Sequence, residues 1–174
     1  MIVIVSSSLN TESNSRILAQ EAQRVLAQDG HAVTLLDLRE HPLPLCDGGA
    51  SYDHPGVAHV DQLLQQASAI IVATPIYNYD GTAAIKNLIE LTGNAWENKV
   101  VGFLCAAGGM SSYMSIMSLA NSLMLDFRSV IVPRFVYATS EAFAAGQISD
   151  PAQRSRVAEL ARATARLGTL LAAA

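Results

Sequence analysis

Short, continuous apolar runs alternate along the chain with longer stretches in which apolar residues return every three or four positions. Residues 2–5, Ile2-Val3-Ile4-Val5, form the first run and end in Ser6-Ser7-Ser8, which reads as a buried strand meeting a loop. From Ser15 the period changes. Leu18, Ala22, Val25 and Leu26 share one helical face, and Asp29-Gly30 supplies a stop signal. Further strands are predicted over 32–38, 69–73, 100–105 and 130–132. Helices are predicted over 57–67, through Ala84, Ile85, Leu88 and Ile89 to near Gly93, along a stripe of Tyr113, Ile116, Met117, Ala120 and Met124, and over 151–171. Asp150 and Pro151 start the last helix, with Val157, Leu160, Ala161, Thr164 and Leu167 on its buried face. The stretch from His41 through Gly49 to Pro55 is rich in Pro and Gly and reads as a long loop.

Five strands alternating with five helices predict an α/β three-layer sandwich, a parallel sheet with helices on both faces. Pro133 cannot donate to a ladder, which places the fifth strand at a sheet edge. Five units and an edge-like fifth strand favour the flavodoxin-like strand order 2-1-3-4-5 over the Rossmann order. No repeat or linker divides the chain, so one domain is expected over 1–174.

Composition narrows the function. Hydrophobic residues make up 51% and charged residues 15% of 174 residues, which excludes a disordered chain and fits strands that are apolar on both faces. The net charge of −4 comes without a basic stripe, so no nucleic-acid partner is expected. The apolar N-terminus is only a strand's length and has no basic flank, so neither a signal peptide nor a membrane partner is expected. Cys46 and Cys105 are too few for a disulfide framework, and a cytoplasmic setting is expected. His31, His41, His54 and His59 are scattered and lack ligand spacing, so no metal is expected.

In such sheets ligands bind beyond the carboxyl ends of the strands, where the strand order reverses. Three loops leaving that edge have unusual composition. The first carries five serines, two asparagines and a threonine over residues 6–15 and runs straight into a helix start. Unpaired amides, the helix dipole and hydroxyl donors make it an anion cradle, beyond what an N-cap alone requires. It contains neither a P-loop nor a G-x-G-x-x-G motif. The second loop, Thr74-Pro75-Ile76-Tyr77-Asn78-Tyr79-Asp80-Gly81, offers aromatic and amide groups to flank a flat ring such as an isoalloxazine. The third, Ala106-Ala107-Gly108-Gly109, is small throughout and lets backbone approach a ligand edge. No serine has an evident His and acid partner, which argues against a nucleophilic hydrolase.

Pro75-Ile76-Tyr77-Asn78-Tyr79, Gly81 and Ile85-Lys86-Asn87 resemble the P-x-Y-N…L-K-N signature of the NADPH-dependent FMN reductase family. The first loop is similar to that family's G-S-x-R-x-x-S-x-[NS] phosphate loop, with Ser8, Ser13 and Ser15 in matching places. Ser7 stands where the family usually has Gly, and Asn10 where it often has Arg. The resemblance implies an FMN-dependent NAD(P)H oxidoreductase. Hydride would pass from NADPH or NADH to flavin N5 and on to a small acceptor such as free flavin, a quinone or an azo compound. It implies Ser8, Asn10, Ser13, Asn14 and Ser15 at the FMN phosphate. Pro75, Ile76, Tyr77 and Asn78 would line the ring, with a backbone N–H of that loop near N5, and Ala107, Gly108 and Gly109 would meet the pyrimidine end. No side chain acts as acid or base in this scheme. Lys86 is assigned to helix structure or an ion pair, and Arg16 is a possible substitute for the missing positive charge. The 43–55 loop is the candidate for shaping acceptor access. Met110, Met114, Met117 and Met124 are assigned to core or subunit-interface packing, and a homodimer or homotetramer is expected. Arg162 and Arg166, near Glu159, are read as a solvated helix face. The competing reading is a flavodoxin-type electron carrier, which calls for a strongly acidic face that the mild charge does not supply. A receiver-like signalling domain would need an Asp ending the third strand, where Thr74-Pro75 stands instead.

Overall fold

The computed structural model describes residues 1–172. Strands β1 (Ile2–Ser6), β2 (Val33–Asp37), β3 (Ala69–Pro75) and β4 (Val100–Ala107) are mutually parallel, and their order runs β2-β1-β3-β4. The order continues to β5 (Val130–Ile131), giving the flavodoxin-like 2-1-3-4-5 arrangement. The fifth position is split. Pro133 and the left-handed Arg134 (φ 61°) break the strand, and β6 (Val136–Thr139) then resumes parallel pairing with β4. The sequence pattern showed only the first half of this interrupted edge strand. A small antiparallel hairpin, β7 (Phe143–Ala144) and β8 (Gln147–Ile148), follows and was not foreseen.

Alternation along the central strands sorts side chains into two apolar layers. Val3, Val5, Ile70, Val72, Val101 and Phe103 face helices α2 (Pro55–Gln65), α3 (Ala83–Leu91) and α4 (Met117–Phe127). Ile2, Ile4, Ala69, Ile71, Val100 and Leu104 face α1 (Asn14–Gln28) and α5 (Pro151–Ala172). The Asp150 carboxylate accepts from the Ala152 amide at 2.8 Å, so Asp150 and Pro151 start α5 as expected. Val157, Leu160, Ala161 and Thr164 are buried on it, and Leu167 is partly buried.

One reading of a helix surface needs correction. The core-facing stripe around α4 is Ile116, Leu119, Ala120 and Leu123, because the helix begins only at Met117, after a 3₁₀ turn over Met110–Ser112. Tyr113, Met110, Met114, Met117 and Met124 are therefore exposed and are not core. Arg162 and Arg166 lie with Glu159 on the exposed face of α5, as expected, and Arg162 also makes a surface ion pair from there, with Asp29 at the end of α1, at 2.7 Å. Within the 41–55 loop a single 3₁₀ turn spans Ala50–Asp53.

Candidate functional site

Loops after β1, β3 and β4 meet at the carboxyl edge of the sheet, around a cleft of about 220 Å³. It is lined by Ser8, Asn10, Glu12, Ser13, Asn14, Ser15, Pro75, Ile76, Tyr77, Ala106, Ala107, Gly108 and Ser140. Ten of the twelve expected site residues are thus brought together. Asn78 and Gly109 lie beside the cleft rather than on its lining.

The first loop turns directly into α1. Ser13 caps the helix, its Oγ accepting from the Arg16 amide at 3.2 Å and lying 2.9 Å from Ser15 Oγ. The amides of Asn14 and Ser15, in the first helical turn, have no intrahelical acceptor by construction and remain for a ligand. Asn10 closes an Asx turn on the Glu12 amide at 3.1 Å, and Ser8 Oγ accepts from the Asn10 amide at 3.3 Å. Among the described residues no Lys, Arg or His lines the cleft, and one carboxylate, Glu12, does. An anion here is held by amides, hydroxyls and the helix dipole.

Arg16 does not reach the cleft. Its side chain is only 10% exposed and turns to the opposite side of the loop. There it donates to Asp37 at 2.6 and 3.2 Å, to the Ser8 carbonyl at 2.8 Å and to the Asn10 carbonyl at 2.6 Å. It is therefore no substitute for a phosphate-facing charge. Burial acts to raise the Asp37 carboxyl pKa. The Arg16 hydrogen bond, the Arg39 amide and the two guanidinium charges outweigh it and hold the group below its ordinary value.

Ser7 fills the position where glycine was the family expectation, and its role is structural. Its hydroxyl accepts from Thr82 Oγ1 at 3.0 Å, and the same Thr82 oxygen caps α3 by accepting from the Ile85 amide. Thr74 Oγ1 accepts from the Thr82 amide at 3.2 Å. Three hydroxyl residues thus knit the first two loops together beneath the cleft.

The second loop is anchored at its base by the Ile76 amide donating to the Ala106 carbonyl at 2.8 Å. Tyr77 and Asp80 then exchange backbone hydrogen bonds at 2.9 and 3.1 Å around Asn78 (φ 51°) and Tyr79 (φ 66°), the conformation of a tight I′ turn. A left-handed tyrosine stores backbone strain. The Tyr77 and Ile76 amides are consumed by these contacts, so the free donors at the tip are the amides of Asn78 and Tyr79. Asp80 Oδ1 holds the turn against α4 by accepting from Ser118 Oγ at 2.6 Å. Gly81 sits close against that packing: a Cβ would lie 2.6 Å from Leu119 Cδ1, so the tip of the leucine would have to shift.

Tyr137 positions the third loop, its hydroxyl donating to the Gly109 carbonyl at 2.7 Å. Gly108 lines the cleft, yet a Cβ there would meet no protein atom within 4 Å, and its φ is not left-handed. Neither packing nor conformation explains this glycine. The room it leaves fits the close approach of a flat cofactor, and with the cationless amide cradle the residues present fit FMN.

Glu12 and Ala106 belong to the first and third loops but were given no contact of their own, and Ser140 was not anticipated. Ser140 follows β6, so recognising residues 136–139 as a resumed strand would have placed it at the ligand edge. Lys86 pairs with Glu90 at 2.7 Å on the surface of α3, as expected. Asn87 binds the 43–55 loop, donating to the Pro44 carbonyl at 2.9 Å and accepting from the Cys46 amide at 2.8 Å. Behind Leu9, the residues His41, Pro42, Leu43 and Leu45 form with Ala83, Ala84 and Asn87 an apolar groove of about 410 Å³. Among the described residues no helix is long and apolar enough to cross a membrane.

A flavodoxin-like sheet with its cleft at the strand-order reversal defines the class. The model of the NADPH-dependent FMN reductase family matches residues 1–144, and the chain belongs to that family. It is 32% identical over 145 residues to the NAD(P)H-dependent FAD/FMN reductase of Geobacillus thermodenitrificans (81% of this chain, 77% of that protein). Identity to the FMN reductase (NADPH) of Pseudomonas putida is 24% over 154 residues (88% of this chain, 78% of that protein). The flavoenzyme NAD(P)H:(acceptor) oxidoreductase FerB of Paracoccus denitrificans shares the fold, with a TM-score of 0.80 at 20% identity over 97% of this chain and 96% of that one.

Proposed function

We propose that this protein is an FMN-dependent NAD(P)H oxidoreductase passing reducing equivalents to a small electron acceptor, with residues 1–174 forming one FMN-binding domain. The observation that carries the reading is a single cleft joining a hydroxyl-rich helix start to a glycine, Gly108, that the protein's own packing does not require. Ser8, Asn10, Ser13, Asn14 and Ser15 hold the phosphate. Pro75, Ile76 and Tyr77 flank the ring, and Asn78 enters through its main-chain amide. Ala107, Gly108 and Gly109 meet the pyrimidine edge. When bound, the flavin supplies the hydride-accepting and hydride-donating centre. The chain binds, orients and desolvates, and no side chain is required as acid or base. NADPH and NADH both serve as donors in this reading, as the name of the Geobacillus relative supports. The groove behind Leu9, bounded by the loop that Asn87 tethers, supports access for free flavin, a quinone or an azo compound.

The exposed methionine face of residues 110–124 supports a homodimer or homotetramer. Free Cys46 and Cys105 and a nicotinamide donor support a cytoplasmic setting. The test is direct: add FMN to the purified protein, record the flavin spectrum, then follow bleaching under anaerobic NADPH and NADH. A perturbed, bleachable spectrum with turnover of a quinone is expected. Failure to bind FMN overturns the reading, and binding without nicotinamide reduction points to an electron carrier.

A further inference from the structure

Arg16 hydrogen-bonds the backbone of the first loop, and its guanidinium is not on the cleft lining. Its guanidinium gathers the carbonyls of Ser8 and Asn10, both cleft-lining residues, and is itself held by Asp37. Asp37 arrives there through the sheet: parallel pairing sets it opposite Ser6, at the base of the loop. A carbonyl oxygen aimed into an anion site repels the anion, whereas one turned outward leaves hydroxyls and amides as the lining. Holding the Ser8 and Asn10 oxygens on the Arg16 side therefore keeps them from the anion and fixes the stretch of loop that presents Ser8 and Asn10 to the cleft.

We propose that Arg16 is a positioning residue, not a charge donor, for the phosphate site, and that it is what lets the loop select a flavin bearing a terminal phosphate monoester over one without it. The proposal rests on the FMN reading above. The geometry separates position from charge. The Arg16–Asp37 pair is close to neutral, so its net field on an anion in the cleft is small, and its contribution comes through the carbonyls it orients. Removing Asp37 then has opposite consequences under the two mechanisms. If Arg16 acted by charge, its unmasked guanidinium would draw phosphate in. If it acts by position, losing its anchor loosens the loop.

The experiment measures FMN and riboflavin dissociation constants by flavin fluorescence for the wild type, Arg16→Lys, Arg16→Ala and Asp37→Asn. Circular dichroism checks folding, and the ³¹P resonance of bound FMN reports the phosphate environment. Lysine keeps the charge but cannot span the same acceptors. Expected are FMN affinities weakened about tenfold or more in Arg16→Lys and several-fold in Asp37→Asn, the scale of one or two lost phosphate contacts. Riboflavin affinity should be unchanged, and the ³¹P resonance should move toward that of free FMN. If Arg16→Ala does not fold, the lysine and Asp37 variants carry the test alone. Tighter FMN binding in Asp37→Asn, equal losses for FMN and riboflavin, or wild-type FMN affinity in Arg16→Lys would overturn the proposal. A wild type that binds no FMN would instead overturn the functional reading itself.

Discussion

Ser7 and Thr82 meet through their hydroxyls at 3.0 Å, 75 residues apart in sequence, and this contact joins the end of β1 to the start of α3 directly beneath the cleft. Thr82 serves twice, since the same oxygen caps α3.

Thr82→Val keeps the side chain's shape while removing the cap and leaving Ser7 Oγ without this partner. A lost cap costs about 1 kcal/mol, and an unpaired buried hydroxyl a comparable amount. Thermal unfolding should fall by about 4–8 °C in total, at about 2–4 °C per kcal/mol for a chain of this size. Ser7→Gly keeps the cap and should cost less. A Thr82→Val protein melting with the wild type would show that the contact contributes nothing.

Gly108→Ala tests whether the third loop keeps its glycine for a ligand. The added methyl meets no protein atom within 4 Å and the φ is not left-handed, so the melting temperature of the flavin-free protein should hold or rise slightly. FMN affinity should fall, by about tenfold if the methyl occupies space the ring needs. Equal FMN binding in the two proteins, by fluorescence titration, would return Gly108 to the status of an ordinary turn residue.

Among the described residues Glu12 is the only carboxylate on the cleft lining, with no cation beside it there. Glu12→Gln should tighten FMN two- to threefold at low salt, the scale of one exposed like-charge repulsion, about 0.5 kcal/mol. The gain should shrink above about 0.5 M salt as screening sets in. Titrations at two ionic strengths check both statements.

The Asp37 carboxyl has a lowered pKa in the folded chain, so the unfolded chain binds its proton first as pH falls. The stability it contributes is fully present above the unfolded value of about 3.9 and is lost as pH drops from there through the folded value. Urea unfolding between pH 5 and pH 2 should show this loss in the wild type. In Asp37→Asn the curve should start lower at neutral pH and fall less steeply over that window. Parallel curves would assign the acid sensitivity to other carboxylates.

Strands β1, β3 and β4 were legible because each is almost wholly apolar and buried between two helical layers, and β2 because a shorter apolar run follows the Asp29-Gly30 stop, although this edge strand is only half-buried over 33–35. The helix starts at Ser13 and Asp150 were legible because capping is local chemistry. The fifth strand was only half visible. Pro133 marks the interruption, but the resumption at Val136 depends on register with Leu104 on β4, which no local pattern carries. The α4 stripe was misread for a related reason: apolar residues stood on both sides of that helix, and only docking shows that Ile116, Leu119 and Leu123 face the sheet while the methionines do not.

Composition and spacing alone determined the layered α/β class, the strand order and the three loops at the ligand edge, because periodicity and helix-end chemistry depend on neighbours a few residues apart. Tertiary structure decided where the long polar side chains spend their hydrogen bonds. Arg16 could have reached the cleft, but the parallel register of β1 and β2 brings Asp37 to its other side and turns it to the loop carbonyls. Gly168, a weak helix residue by propensity, is explained only by the sheet beneath it, where a Cβ would lie 2.7 Å from Ala69 Cβ and 2.9 Å from the Ser68 carbonyl oxygen. Such assignments depend on contacts between residues distant in sequence, which exist only once the chain has folded.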